Sequence, residues 1–175
     1  MDTAKQPQPV KLIASLFSGR RPSLEAARAR LEEIWGPADY QSELLPFDHT
    51  DYYAPEFGPG LVRVILAFEP LIDPGDLAAV KRQANDLEAG WLVEGCRQVN
   101  VDPGYVSLSK LVLASTKNHV HRIYLADGIY GEVTLHYRDG AFRGFPWTYP
   151  DYASPRYCAL FEEIRDLYRR QLRAR

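Results

Sequence analysis

Residues 99–137 read VNVDPGYVSLSKLVLASTKNHVHRIYLADGIYGEVTLHY, and the way this run divides into elements decides how far the sheet of the chain extends. Asp102-Pro103-Gly104-Tyr105 has the composition of a turn. Ser107 can cap a short helix with Leu108, Leu111, Val112 and Ser115 on one side, or the same residues can form a strand. Further on, Asp127-Gly128 is a strong two-residue hairpin signal and Arg138-Asp139-Gly140 offers a second turn, so three antiparallel strands are expected.

Outward from that run, the pattern alternates between the two regular periods. Val10 to Phe17 is a short apolar run ended by Ser18-Gly19, which fits a buried strand. Ser23 can cap a helix whose Leu24, Ala27, Leu31, Ile34 and Trp35 recur at helical spacing, with Gly36-Pro37 as its stop. Tyr40 to Phe47 reads as a second strand, placed at an edge or bulge by Pro46. A loop, FDHTDYYAPEFGPG, follows, long enough without periodicity to suggest function. Leu61 to Glu69 is a third strand, Asp73-Pro74 opens a helix that runs to about Glu94, and Arg97 to Val101 is a fourth strand. Strand, helix, strand, strand, helix, strand is the split βαβ order of a ferredoxin-like core. The expected fold is therefore α+β: a βαββαβ core extended by a C-terminal antiparallel meander and a terminal helix. That helix starts at Ser154-Pro155 and carries Tyr157, Leu160, Phe161, Ile164, Leu167, Tyr168 and Leu172 on one stripe.

A chain of 175 residues with 46% apolar and 25% charged residues suits one globular domain. Residues 1–9 are expected to be a disordered lead-in and 10–175 the domain. A net charge of -2 argues against a globally basic nucleic-acid binder. Cys96 and Cys158 lack CxxC spacing, so neither a disulfide framework nor a zinc ribbon is suggested. The first residues do not read as a signal peptide and no apolar run approaches a membrane span, so a cytoplasmic protein without membrane contact is expected. Walker A, GxGxxG, HExxH and GxSxG patterns do not occur, which disfavours the nucleotide-loop, zinc-protease and serine-hydrolase readings.

Three constellations could carry chemistry. If Asp127 and Gly128 close a tight hairpin, Ile123 meets Glu132, His121 meets Thr134 and His119 meets His136. His119, His121, Glu132 and His136 then share a face and could hold zinc or iron, although polar residues on the wet side of a hairpin are the commoner outcome. Lys110, Lys117, His121 and Arg122, with Asn100, Asp102, Tyr105 and Ser107 as hydrogen-bonding partners, could hold an anion. Asp48, Asp51, Asp102, Glu132 and Asp151 could supply a base or bind a hard cation, or simply cap turns. Tyr52-Tyr53 and Trp147-Tyr149-Tyr152 could stack nucleobases, although roles in core packing or loop anchoring are commoner for such side chains.

The motifs FDHTDYY (47–53), VNVDPGY (99–105), KLVLAST (110–116), HRIYL (121–125), GIYGEVTL (128–135) and PWTYPDY (146–152) together resemble the bacterial domain-of-unknown-function family numbered 4416. The resemblance covers nearly everything from Val10 to Leu172. It implies no established activity, so it transfers no catalytic assignment and leaves the cofactor unknown, and it singles out Asp48, Asp51, Asp102, Lys110, Lys117, His121, Arg122, Glu132 and Asp151 as motif positions. His49, His119 and His136 are less typical of the pattern, which lowers the three-histidine metal face.

The expected function is binding of a small phosphorylated or otherwise anionic ligand such as a nucleotide, either as a binding protein or as an enzyme acting on it. In this reading Asp102, His121 and Glu132 are the catalytic candidates, and Asp48, Asp51, Tyr105, Lys110, Lys117, Arg122 and Asp151 the ligand contacts. The alternatives are a non-catalytic module that docks RNA or protein, and a metal-dependent enzyme using histidine and carboxylate ligands. On a hairpin in the expected register, Arg122 points away from His121 and Glu132, so either the strand bends or Arg122 is structural.

Overall fold

The apolar run at the N-terminus forms β1 (Val10–Ser18), buried along its whole length because both of its faces are covered. Leu12, Ala14 and Leu16 face one layer, and Ile13 faces the other. The computed structural model describes residues 3–48 and 52–174. After β1 come α1 (Arg21–Trp35), β2 (Ala38–Gln41), β3 (Leu45–Pro46), α2 (Ala54–Phe57), β4 (Val62–Ile72), α3 (Leu77–Gly90), β5 (Leu92–Val93), β6 (Cys96–Arg97), β7 (Asn100–Val106), β8 (Lys110–Ser115), β9 (Ile123–Ala126), β10 (Ile129–Arg138), β11 (Ala141–Gly144) and α4 (Pro155–Arg173).

The result is α+β, with four helices and one large antiparallel sheet among the described residues. Its strand order is β11-β10-β8-β7-β1-β4-β2, with β3 beside β4 and β9 beside β10. On one face Leu24, Ala27, Leu31 and Trp35 of α1 and Val80 and Ala84 of α3 pack against β1, β4 and β7. The opposite face is covered by α4 through Tyr157, Leu160, Phe161 and Ile164. Ser154 caps α4, its side chain accepting from the Tyr157 amide. Among the described residues no helix is long and apolar enough to cross a membrane.

Several boundaries differ from the sequence reading. The second strand is interrupted, giving β2 and β3, where the Ser42 hydroxyl accepts the Ile65 amide at 2.9 Å. Ser23 lies inside α1, whose N-cap position is held by Arg20. The second long helix stops at Gly90, where Trp91 leaves helical geometry with ψ 49°, and Glu94 and Gly95, with left-handed φ values of 52° and 79°, then turn the small β5–β6 hairpin. Of the two readings of 107–115, the strand is the one found. Asp102-Pro103-Gly104-Tyr105 does not turn: it lies inside β7, between β1 and β8.

The hairpin at Asp127-Gly128 exists, with φ of 51° and 76°, and Ala126 faces Ile129 as expected. A bulge then shifts the register, so that Ile123 meets Gly131 rather than Glu132. The strand also begins only at Ile123, leaving residues 119–122 as a turn. His121–Thr134 and His119–His136 are therefore not cross-strand pairs.

Candidate functional site

Two residues of β7 open the sheet. The β7–β8 ladder pairs Gly104, Tyr105 and Val106 with Leu113, Val112 and Leu111. A Cβ on Gly104 would stand 2.3 Å from the Val112 carbonyl oxygen and 3.2 Å from the Leu113 Cα, so only glycine lets β8 come this close. Pro103 follows at once and has no N–H to donate. It faces Ala14 on the β1 side, and β8 continues to Ser115 without pairing β7 any further.

The backbone that loses its neighbour there is satisfied from α3. The Val101 amide donates to Glu88 Oε1 at 2.6 Å, and Lys81 Nζ donates to the Val101 carbonyl at 3.0 Å. Two charged side chains on the buried stripe of α3 thus stand in for the missing strand, as a buried backbone requires. Lys81 also donates to Asp102 Oδ1 at 3.0 Å, and Asn100 Nδ2 donates to Asp102 Oδ2 at 2.7 Å.

The gap between the diverging strands is a cleft of about 660 Å³, the size of a small-molecule site. Asp102, with its side chain 38% exposed, sits on the β7 wall. Burial pushes its carboxyl up, but the Lys81 charge and hydrogen bond, the Arg63 charge and the Asn100 amide together hold it below the usual carboxylate value. Glu88 goes the other way: burial dominates and raises its pKa, despite Lys81, the Val101 amide and Arg97. Arg97 grips Glu56 with two nitrogens at 2.7 and 2.8 Å and reaches Glu88 at 2.8 Å, which ties α2 to the cleft. Deeper in, Arg63 is buried against Asp151 and lies over the Phe47 ring at 4.0 Å.

The opposite wall is built around Glu132. Arg122 Nε donates to Glu132 Oε2 at 2.8 Å, His121 Nε2 lies 3.0 Å from the same oxygen, and the Thr134 hydroxyl donates to Oε1 at 3.2 Å. Arg122 also donates to the Ser115 hydroxyl at 2.7 Å and the Lys117 carbonyl at 3.0 Å. The turn at 119–122 replaces the strand that would have aimed Arg122 and His121 to opposite sides. Arg122 is accordingly a clamp that fixes the end of β8 against β10.

The three histidines form no cluster. His119 stacks on His121 with centroids 5.8 Å apart, His121 on Trp147 at 5.5 Å, and Trp147 on Phe145 at 4.7 Å, while Phe145 lies 4.7 Å from His136. Two aromatic rings thus separate His136 from the others. Among the described residues no three histidine, cysteine or carboxylate side chains are grouped to hold a metal.

Of the expected site residues, Asp102, Lys117, Arg122, Glu132 and Asp151 line the cleft, and His121 supports it through Glu132. Lys110 lies at the far end of β8, opposite His136, about 17 Å along the strand from Ser115. Tyr105 packs with Val112 and Ile129, Asp48 is exposed and not part of the cleft wall, and Asp51 and His49 lie outside the described residues. Trp147 has both faces covered and Tyr152 is buried, so neither offers a stacking surface. Tyr149, 58% exposed and lining the cleft, has no stacked ring among the described residues. Lys117 lies 5.4 Å from the Tyr52 ring centroid and makes no ion pair among the described residues.

Sequence reasoning missed Arg63, Lys81, Glu88 and Arg97. The signal was present for three of them. Arg63 interrupts an apolar strand, and Lys81 and Glu88 fall on the stripe defined by Leu77 and Ala84, where a charge needs a buried partner.

Fold and site together define an antiparallel α+β protein whose sheet is split to form a cleft of small-molecule size. The chain belongs to the family described as Domain of unknown function (DUF4416), whose profile matches residues 8–168. No curated protein and no solved structure matches it.

Proposed function

We propose that the protein binds a small anionic molecule carrying a planar ring, of which a nucleotide is the simplest kind, in the cleft between β7 and β8. The observation that carries this is convergence. Residues from four motifs distant in sequence, Tyr52 and Tyr53, Asp102, Ser115 to Lys117, and Tyr149 to Tyr152, line one concavity together with Arg122 and Glu132. A flat interface would not need to gather them. Among the described residues of the cleft, Arg63, Lys81, Arg97 and Arg122 are each committed to carboxylates, which leaves Lys117 for a phosphate. Tyr149, with no stacked ring among the described residues, supplies a ring surface. The order β7-β1-β4-β2, with α1 and α3 on one face, supports reading that part of the fold as a ferredoxin-like split βαβ core, with the cleft at its junction with the added meander.

Isothermal titration with nucleotides and sugar phosphates tests the reading. Binding of at least one nucleotide is expected, weakened about tenfold or more by Lys117→Ala, the loss of one charge-assisted contact. Tyr149→Ala should weaken ring-bearing ligands and spare sugar phosphates. The proposal is overturned if no nucleotide binds, or if both variants bind as the wild type does.

A further inference from the structure

Asp102 is unlike the other carboxylates of the cleft. Glu88 and Asp151 are buried and committed, with side chains 7% and 5% exposed, and Glu132 is covered by Arg122 and His121. Asp102 is fixed by one hydrogen bond on each oxygen, from Lys81 and from Asn100, and still presents its carboxylate to the cleft. An ionised carboxylate offers about four lone-pair sites. One acceptor position therefore remains on each of two oxygens held rigidly side by side. That is the arrangement needed to receive two adjacent hydroxyl groups of one ligand.

The positions of the neighbouring groups say which part of a ligand arrives there. Tyr149 and Lys117 are exposed and suit the ring and the phosphate. Asp102 is half-buried on the β7 wall that α3 supports. The portion of a nucleotide that joins ring to phosphate is its sugar. Lys81 already neutralises Asp102, so a neutral pair of donors is favoured over a second ammonium or guanidinium group, which would crowd the Lys81 charge.

Resting on the binding reading above, we propose that Asp102 accepts the vicinal 2′- and 3′-hydroxyls of a ribose, so that the ligand is a ribonucleotide and the site discriminates against its deoxy counterparts. A site built to hydrogen-bond a hydroxyl rejects the analogue lacking it, because its own polar group is then left unpaired. Lys81 and Asn100 are positioning residues that set the direction of the carboxylate.

The test is titration of the wild-type protein with matched pairs: a ribonucleotide and its 2′-deoxy and 3′-deoxy forms, carried out for an adenine and a guanine base. Each deoxy form is expected to bind at least tenfold more weakly, for both bases. In Asp102→Asn, which keeps one acceptor oxygen, the ratio should fall towards one, and circular dichroism should show that variant folded. If ribo and deoxy forms bind the wild type equally, the diol reading is overturned while ring-and-phosphate binding stands. If base identity rather than the sugar sets the affinity, Asp102 reads the base edge and the inference is likewise overturned. If no nucleotide binds, both readings fall. The wild-type ratio decides the question even if Asp102→Asn does not fold.

Discussion

Gly104→Ala probes the physical origin of the cleft. The backbone φ at Gly104 is in the ordinary range, so the cost comes from contact alone. The new methyl would meet the Val112 carbonyl at 2.3 Å and Leu113 Cδ2 at 2.7 Å. The leucine tip can rotate, but the carbonyl cannot, because β8 is also paired along its length with β10. Relief requires β8 to retreat by about 1 Å, which strains the three-pair ladder, and overpacking of this kind costs about 1–3 kcal/mol. Replacing glycine by alanine returns about 0.5–1 kcal/mol through the unfolded chain. A net loss of about 1 kcal/mol is expected, or a fall in Tm of roughly 2–4 °C for a domain of this size. Urea unfolding measures it, with Gly90→Ala as control, since nothing lies within 4 Å of a Cβ there and alanine should stabilise the helix end. A Gly104→Ala variant as stable as the wild type would refute the claim that close approach at this residue sets the split. Because Ser115 and Lys117 follow directly on β8, ligand affinity should fall with stability in the same variant.

Glu88→Gln should change how stability depends on pH. The folded carboxyl sits above its ordinary value of 4.5 because of burial, so the folded protein holds that proton more tightly than the unfolded chain. The associated stability is lost as pH rises from 4.5 through the folded value, and the variant should lack that decline in urea titrations at stepped pH. Asp102 acts in the opposite sense: its stabilisation is present above the ordinary value of 3.8 and is lost as pH falls below it. At the deep end of the cleft, Arg63→Met should cost about 3–5 kcal/mol by leaving Asp151 charged and buried. Arg63→Met combined with Asp151→Asn, which keeps the acceptor for the Tyr152 amide, should recover more than half of the loss. Equal destabilisation by the single and double changes would show that the pair is not what holds the two segments together.

The helical and strand periods were legible because they reflect burial, and burial set the elements. β1, β4, α4 and the α1 stripe fall where apolar spacing places them, except that Ile34 of α1 is exposed. The two type I′ signals, Asp127-Gly128 and Asp139-Gly140, also hold, with positive φ at all four residues. The misreading of Asp102-Pro103-Gly104-Tyr105 has a definite cause. Proline and glycine have the same local preferences whether they turn a chain or lie in a strand, and what separates the cases is the neighbour. Here β1 pairs with every residue from Asn100 to Val106 on one side, and that long-range ladder overrides the local turn preference. The histidine register failed for a related reason. A single bulge after Ile129 cannot be read from side-chain alternation, and one residue of slip redirects every side chain beyond it.

The candidate cleft was legible in some of its lining residues and not in its construction. Asp102, Arg122 and Glu132 can be named from sequence, but their division into two walls depends on where β7 and β8 part, and that depends on Pro103 and Gly104 acting in sequence. Lys81 and Glu88 make the same point from the helix side. On an amphipathic stripe they look like errors in the pattern. In the fold they complete the hydrogen bonds of Val101, and one of them then fixes Asp102. A charged residue on an apolar stripe is therefore evidence that the layer it faces has lost a partner. In this chain the lost partner is the continuation of β8, and the space it leaves is the cleft.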